Sequence, residues 1–558
     1  MTLREHQVAA IRDLYFRWQD RMAAITHAYN DKDPSIRDAL SAVGELWDLP
    51  CRSGKTRAAL TVLYHWQDWL KNWGIPALLL DDWLIRPNLV LAPSSMVRDG
   101  AWVEDWAHVC PDWDQRSEVF GQFQYTIDTF PGGLWPIGTL TPSKMRFVVK
   151  SLKPNDILVI TYDTLRERAD IISSRPYGLL VADEVHMLKN PRAQWTQAAY
   201  KLQSVARLGL SATPFTNYVH ELIHVLRFLQ GWTTPWGERV SSIWPSPWRW
   251  EQAHCAFKWE RPKRGLAWRK VRAGAYNPEH MYHWLRSEVL FSLASAEVSD
   301  APEPNIRPIR VELSWRQQDA YDQLAKGMLR WTDAYDKTDT FDTGTALAQM
   351  TYLFQLTADA RQLKIAMQKK RAGSMLDYTD LTPGFLDGWT LDDVNSKLKV
   401  LLWLLEHTDG DQILVLTGFK HVASLISGDL GRMGYKADYI TGDVKDRQLA
   451  LDKFAAGETQ IMLCTRAAWQ GISLAAPHVV LFGFVDHVPG MVRQAIRRAW
   501  TMDDTRAVTV YDCYAPGTLE EWNRNRLAAK DQYATVLTGG AEPPVFKPVT
   551  LEEALRGG

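Results

Sequence analysis

Short apolar runs, each ending in a polar or turn residue, recur along two separated stretches of this chain, with helix-periodic segments between them. In the first stretch they are NLVLAP (Asn88–Pro93), DILVITY (Asp156–Tyr162), YGLLVADE (Tyr177–Glu184) and VARLGLSAT (Val205–Thr213). In the second they are QILVLTG (Gln412–Gly418), KADYITG (Lys436–Gly442), QIMLCT (Gln460–Thr465), HVVLFGF (His478–Phe484) and AVTVYDCY (Ala507–Tyr514). Runs that are apolar on consecutive positions suit parallel strands covered on both faces. Helical segments such as KTRAALTVLYHWQDWL (Lys55–Leu70) lie between them, so the pattern predicts an α/β protein with mostly parallel sheets in two lobes.

The texture changes between the two stretches. Residues 231–308 carry Pro235, Pro245, Pro247 and Pro262 among Trp232, Trp236, Trp244, Trp248, Trp250, Trp259 and Trp268, with few strand signals, which predicts an insertion or connector. Residues 309–395 are helical in pattern, QQDAYDQLAKGMLRW most clearly, and predict a bridge. The expected organisation is therefore 1–230, first lobe; 231–308, Trp-rich and basic insertion; 309–395, helical bridge; 396–538, second lobe; 539–558, tail. At about 150 residues per domain, a chain of 558 residues allows three or four folding units.

The formal net charge of −1 provides no global field toward nucleic acid or membrane, so any polyanion contact must be local. The five cysteines, Cys51, Cys110, Cys255, Cys464 and Cys513, are scattered and form no C-x-x-C pair, which argues against a disulfide framework or structural zinc. The N-terminal residues lack the apolar core of a signal peptide, and no run approaches the ~20 apolar residues of a membrane span. A soluble, intracellular monomer is expected. The compact build suggests the cytoplasm of a bacterial or phage-infected cell, with a nucleus as the other compartment.

Ligands of open α/β sheets gather at the carboxyl ends of the strands. There the first lobe places Asp183 and Glu184, followed by Val185 and His186. An adjacent acidic pair suits Mg²⁺ and water chemistry, one carboxylate on the metal and the next on the attacking water; alone it fits a helix N-terminus equally well. Upstream, LPCRSGKTRAAL (Leu49–Leu60) turns through Ser53 and Gly54 and opens a helix with Lys55 and Thr56. Those residues supply what a phosphate cradle needs: backbone N–H groups, a lysine for phosphate oxygens and a hydroxyl for Mg²⁺. The strict pattern has a glycine where Leu49 stands. The pair of signals in one lobe is far stronger than either alone.

With these residues in order, the chain resembles superfamily-two helicase-type ATPases, and among them the Swi/Snf-type double-stranded-DNA translocases. LREHQ (Leu3–Gln7) is similar to their adenine-reading segment, LVLAPSSMV with WVEDW to motif Ia and the W-x-E pattern, VITYDTLR to the next motif, VADEVHMLKN (Val181–Asn190) to the DEAH-type box, and GLSATPFTN to motif III. LSWRQQDAYDQL and SKLKVLLWLL resemble the bridge and the entry to the second lobe; YITGDVKDR, MLCTRAAWQGISL and RQAIRRAW stand where motifs IVa, V and VI belong. The resemblance implies two RecA-like lobes, ATP and Mg²⁺ as ligands, and duplex DNA as partner. It implies that Arg4, Gln7, Ser53, Gly54, Lys55, Thr56 and Gly471 meet the nucleotide, and that Thr56 and Asp183 hold the metal. Glu184 would position the attacking water, and Gln494, Arg497 and Arg498 would approach the γ-phosphate. Ser94, Lys189, Thr213 and Thr465 would lie along the nucleic-acid backbone.

Motif VI departs from the family, with Thr501 where a second arginine, the arginine finger, is expected. Arg497 lies one helical turn earlier on the same face, so Arg497 and Arg498 are expected to share that work. In the insertion, KWERPKRGLAWRKVR (Lys258–Arg272) sets Lys258, Arg261, Lys263, Arg264, Arg269, Lys270 and Arg272 against Glu260, with Trp259 and Trp268 interleaved. Cations that neutralise phosphates and indoles that stack on bases make Lys263, Arg264 and Arg269 expected nucleic-acid contacts. The expected activity is ATP-driven translocation on duplex DNA. A strand-separating DNA or RNA helicase, or a low-turnover nucleotide-gated scaffold, are the alternatives.

Overall fold

The computed structural model describes residues 3–31, 43–49, 53–98, 100–109, 134–138, 140–212, 219–230, 246–260, 269–275, 277–293, 304–332, 338–342, 344–365, 385–441, 447–465, 476–482, 496, 499, 508–525 and 549–550. They gather into two compact units, one holding the described residues up to Leu293 and the other those from Pro304 onward. Each unit is built on a seven-stranded sheet, parallel at every pairing, as two RecA-like lobes require.

In the first unit β1 is Gly44–Asp48, β2 Asn88–Ala92, β3 Leu134–Ile137, β4 Ile157–Thr161, β5 Tyr177–Asp183 and β6 Ser204–Ser211. A hairpin of β7 (Cys255–Glu260) and β8 (Arg269–Ala275) follows, then β9 (Leu290–Ser292). The spatial order is β3-β4-β2-β5-β6-β1-β9. Consecutive residues of the central strands feed two different cores. Leu89, Leu91, Leu180 and Ala182 join one, while Val90, Ala92, Leu179 and Val181 join the other. That is why these strands are apolar at every position: the side chains alternate, but both faces are covered.

The second core takes Trp18, Trp47, Trp66, Trp73, Trp83, Trp102 and Trp106. Helix α1 (Glu5–Asn30) buries His6, Gln7, Ala10, Leu14, Trp18, Met22 and Ile25, a stripe at helical spacing. Trp18 meets Trp66 of helix α2 (Lys55–Asn72) edge to face, centroids 5.6 Å apart. Arg17 and Arg21 of α1 reach the β1–β9 edge of the sheet: Arg21 donates to the Gly44 carbonyl at 3.4 Å, and Arg17 lies 2.8 Å from Asp13 and 4.0 Å from the buried Glu45. Burial, with Asp13 adding to it, pushes the Glu45 carboxyl up to about 8, against the pull of Arg17 and Arg21.

In the second unit β10 is Asn305–Arg310, β13 Ile413–Thr417, β14 Ala437–Ile440, β15 Ile461–Thr465, β16 His478–Phe482, β17 Thr509–Tyr514 and β18 Val549–Thr550, in the order β14-β15-β13-β16-β17-β10-β18. A second hairpin, β11 (Met328–Thr332) with β12 (Thr338–Asp342), lies within the stretch expected to be a helical bridge. The connector is likewise not all loop. It holds the hairpin β7–β8, pairs β9 with β1, and pairs β10 with β17. Strand pairing across long sequence separations absorbs the connector into both sheets, so contacts define two units where length alone allowed three or four. The segment expected to be a tail contributes β18, which pairs with β10.

Candidate nucleotide site

The register brings the loop before α2 and the acidic pair to the same end of the sheet, with β6 between their strands. Asp183 of β5 stands opposite Leu210 of β6, and on the other side of β6 Trp47 pairs with Leu210 and Asp48 with Ser211. Two strand spacings, about 10 Å, separate the ends of β5 and β1. Leu49 continues β1, fully buried in the second core, which explains a large apolar residue there. What the site takes from this position is backbone: the Leu49 carbonyl accepts from the Lys55 ammonium at 3.0 Å, and the Leu49 N–H donates to the Ser211 carbonyl at 3.1 Å.

Gly54 caps α2 with φ +74°, and a Cβ at this position would lie 2.2 Å from the Gln7 amide nitrogen. The left-handed φ favours glycine, and a Cβ would also push the end of the Gln7 side chain aside. Gln7 reaches this loop from the first turn of α1, donating to the Ser53 and Gly54 carbonyls at 3.1 and 3.0 Å and accepting from the Arg4 N–H at 2.9 Å. A ring nitrogen of His6 lies 2.8 Å from the Ser53 carbonyl. The Ser53 hydroxyl is buried without a hydrogen-bond partner, and Thr56 is buried in the first turn of α2. The loop backbone is thus held by α1, 46 to 47 residues away in sequence.

Asp183 is buried, and its carboxyl accepts from the Glu184 N–H at 3.0 Å. Burial and then the neighbouring Glu184 push its pKa up to about 7, while the Lys55 ammonium pulls it down. Tyr162 donates to the Asp183 carbonyl at 2.7 Å, and burial raises the phenol well above its ordinary range. Glu184 adopts φ +50°, ψ +50°, a strained left-handed conformation for a residue with a Cβ. Its carboxylate lies 3.2 Å from His186 Nδ1, which lies 3.2 Å from the Ser211 hydroxyl. His186 thus stands between Glu184 and the Ser211 hydroxyl, while the Leu49 backbone ties the Ser211 carbonyl to Lys55.

Of the expected residues, the structure therefore gathers Arg4, Gln7, Ser53, Gly54, Lys55, Thr56, Asp183 and Glu184. Ser94 is exposed and opens the short helix Ser94–Arg98, Lys189 lies 3.8 Å from Glu221, and Thr465 ends β15 in the second unit, buried. Gln494, Arg497, Arg498, Gly471, Thr213, Lys263 and Arg264 lie outside the described residues, and of Arg269 only the backbone, in β8, is described. Residue reasoning assigned no role to His6, His186 or Tyr162. Only their places beside the expected motifs signalled them, since each acts through a partner distant in sequence.

The SNF2-related domain matches residues 52–371, more than half of the chain. The chain belongs to the SNF2-related family. The helicase conserved C-terminal domain matches residues 396–502 of this SNF2-related chain. Among curated relatives, the chromodomain-helicase-DNA-binding protein 3 homolog of Caenorhabditis elegans is 23% identical over 527 residues, 90% of this chain and 26% of that one. The DNA repair and recombination protein RAD54-like of Gallus gallus is 21% identical over 453 residues, 78% of this chain and 57% of that one. The chain thus spans between about a quarter and somewhat over half the length of these relatives. They are animal proteins, which does not fit the bacterial or phage source expected from the compact build. The Sulfolobus solfataricus SWI2/SNF2 ATPase core in complex with dsDNA is 18% identical, with 97% of this chain and 94% of that chain covered and a TM-score of 0.36. Among the described residues no helix is long and apolar enough to cross a membrane.

Proposed function

We propose that the chain hydrolyses ATP to ADP and phosphate and uses the cycle to move along double-stranded DNA without separating its strands. The observation that supports this reading is that the loop carrying Lys55 follows β1 and the Asp183–Glu184 pair ends β5, at the same end of one parallel sheet with only β6 between them. The residues fit a nucleoside triphosphate: a buried, unpartnered Ser53 hydroxyl, a left-handed Gly54 and the N-terminus of an 18-residue helix face one loop. Lys55 exchanges the Leu49 carbonyl for phosphate oxygens. Thr56 and Asp183 would hold Mg²⁺, which when bound would offset charge on the phosphates. Glu184, oriented by His186, positions the attacking water and receives its proton. Gln7 and Arg4 meet the adenine, and Gly471 senses the nucleotide from the second unit.

Gln494, Arg497 and Arg498 supply positive charge at the γ-phosphate, Arg497 standing in for the arginine that Thr501 replaces. An arginine finger contributes about 10³–10⁵ in rate. Arg497→Ala is therefore expected to lower turnover at least tenfold, and unchanged steady-state turnover would remove it from the mechanism. Ser94, Lys189, Thr213 and Thr465 grip the DNA backbone, with Lys263, Arg264 and Arg269 adding charge. The deciding experiment is steady-state ATPase with blunt duplex, single-stranded DNA, forked DNA and RNA. Stimulation by blunt duplex, abolished in Lys55→Ala, is expected. Stimulation by single strands alone would favour strand separation. Thr501 favours one second reading, a nucleotide-gated scaffold, which negligible turnover on every substrate would support.

A further inference from the structure

The hairpin β7–β8 stands on two helices, and a groove opens at its foot. Helix Pro247–His254 runs directly into β7, and helix Pro278–Glu288 follows β8 after two residues. Between them lies a cavity of about 530 Å³ lined by His254, His280, His283, Trp284 and Ser287. Two of its lining rings, His254 and Trp284, form a platform backed by the buried Trp250. His254 lies 4.4 Å from Trp250 and 5.5 Å from Trp284, nearly parallel to the latter at 26°, and the two indoles lie 5.8 Å apart. Trp250 is fully buried and Trp284 packs against the first core, so the platform is anchored. His280, His283 and Ser287 are exposed at the rim.

We infer that this groove is a stacking pocket for an unpaired nucleobase of a bound strand. The volume suits one nucleotide within the usual range of about 300–1,000 Å³ for ligand sites. The five lining residues carry imidazole and indole faces, ring nitrogens and a hydroxyl, and no carboxylate or primary amine. That set stacks on any base and hydrogen-bonds base edges without requiring a charge. Burial, and then His280 beside it, lowers the His254 pKa, which keeps this ring neutral and suited to stacking. In sequence, the stretch from Lys258 to Arg272 that includes much of this hairpin holds seven cations against one acid, and the hairpin's register pairs Phe257 with Arg272 and Trp259 with Lys270. A polyanionic backbone drawn to that ribbon presents its bases to the platform. A metal reading has no support, since no group of three His, Cys, Asp or Glu among the described residues is arranged to hold an ion.

The inference rests on the nucleic-acid reading above, and one experiment separates the two. A blunt duplex and the same duplex with a short single-stranded gap, containing 2-aminopurine in the gap, are titrated with wild-type protein, with His280→Ala/His283→Ala and with Ser287→Trp, which fills the groove. The wild type is expected to bind the gapped duplex about tenfold more tightly than the blunt one and to quench the 2-aminopurine. Both variants are expected to lose the quench and most of that preference, with blunt-duplex affinity within about twofold of wild type. Quenching and preference that persist in both variants overturn the pocket and leave the motor intact. Absence of binding to either duplex overturns both readings.

Discussion

A carboxylate buried at the end of a strand resists ionisation, and Asp183 stands in that position at the end of β5. Its folded pKa of about 7 lies above the ordinary aspartate value near ~3.9. The folded protein thus keeps a proton that the unfolded chain releases. Stability falls as pH rises through that window, and the whole cost is present above pH ~7. Asp183→Asn is expected to raise Tm at pH 8 by several degrees, with the gain fading toward pH 5, while ATP turnover is lost. Differential scanning fluorimetry across pH checks this, and an equal or lower Tm at pH 8 would refute the desolvation argument. Gly54 offers a second test. Gly54→Ala combines a left-handed φ with a clash on Gln7, so a loss of about 1–2 kcal/mol in stability and weaker nucleotide binding are expected. Adding Gln7→Ala removes the clash but not the backbone strain, so it restores only part; full rescue in thermal melts would show that strain is negligible.

At the scale of elements, packing and polar ties divide the work. Helix Leu398–His407 is joined to the C-terminal strand region through Lys397, fully buried, whose ammonium donates to Glu520 at 2.6 Å. Glu520 also accepts from the Ala515 N–H at 2.9 Å and the Thr357 hydroxyl at 2.7 Å. Every oxygen is satisfied, so removing one partner strands a buried charge at a cost of about 3–5 kcal/mol. Glu520→Gln is expected to lose most of that in urea unfolding, whereas the double replacement Lys397→Met/Glu520→Leu is expected to recover much of it. The hairpin β7–β8 makes an electrostatic prediction. Replacing Lys263, Arg264 and Arg269 by Gln should reduce the slope of log affinity against log salt by about 2–3 on duplex DNA. An unchanged slope would return this segment to the role of a solvated surface.

For the whole molecule, two units with separate cores predict two calorimetric transitions. Lys55, Asp183 and Gln7 all belong to the first unit, and the proposed roles of Gly471, Arg497 and Arg498 involve the second, so a non-hydrolysable ATP analogue is expected to raise both transitions. Lys55→Ala should abolish that shift. A shift of the first transition alone would remove Gly471, Arg497 and Arg498 from the nucleotide site.

The central strands were legible in the sequence because burial on both faces leaves an unbroken apolar run; β2, β4, β5, β6, β13 and β15 fall within one or two residues of the runs quoted. The phosphate loop and the acidic pair were legible because each is a local pattern. β3, with Pro136, and β10, with Pro308, were not, since proline argues against a strand and is tolerated only where the partner leaves its nitrogen unneeded. Nor did any local pattern predict that β9 closes on β1, that Gln7 holds a loop 46 residues away, or that His186 joins Glu184 to Ser211. By itself the sequence determined where reactive residue types stand in local patterns and which apolar runs form the central strands, because residue type and short-range periodicity are one-dimensional properties. Only the tertiary structure decided which of them meet, because strand order and register are settled by packing between segments that the chain keeps far apart.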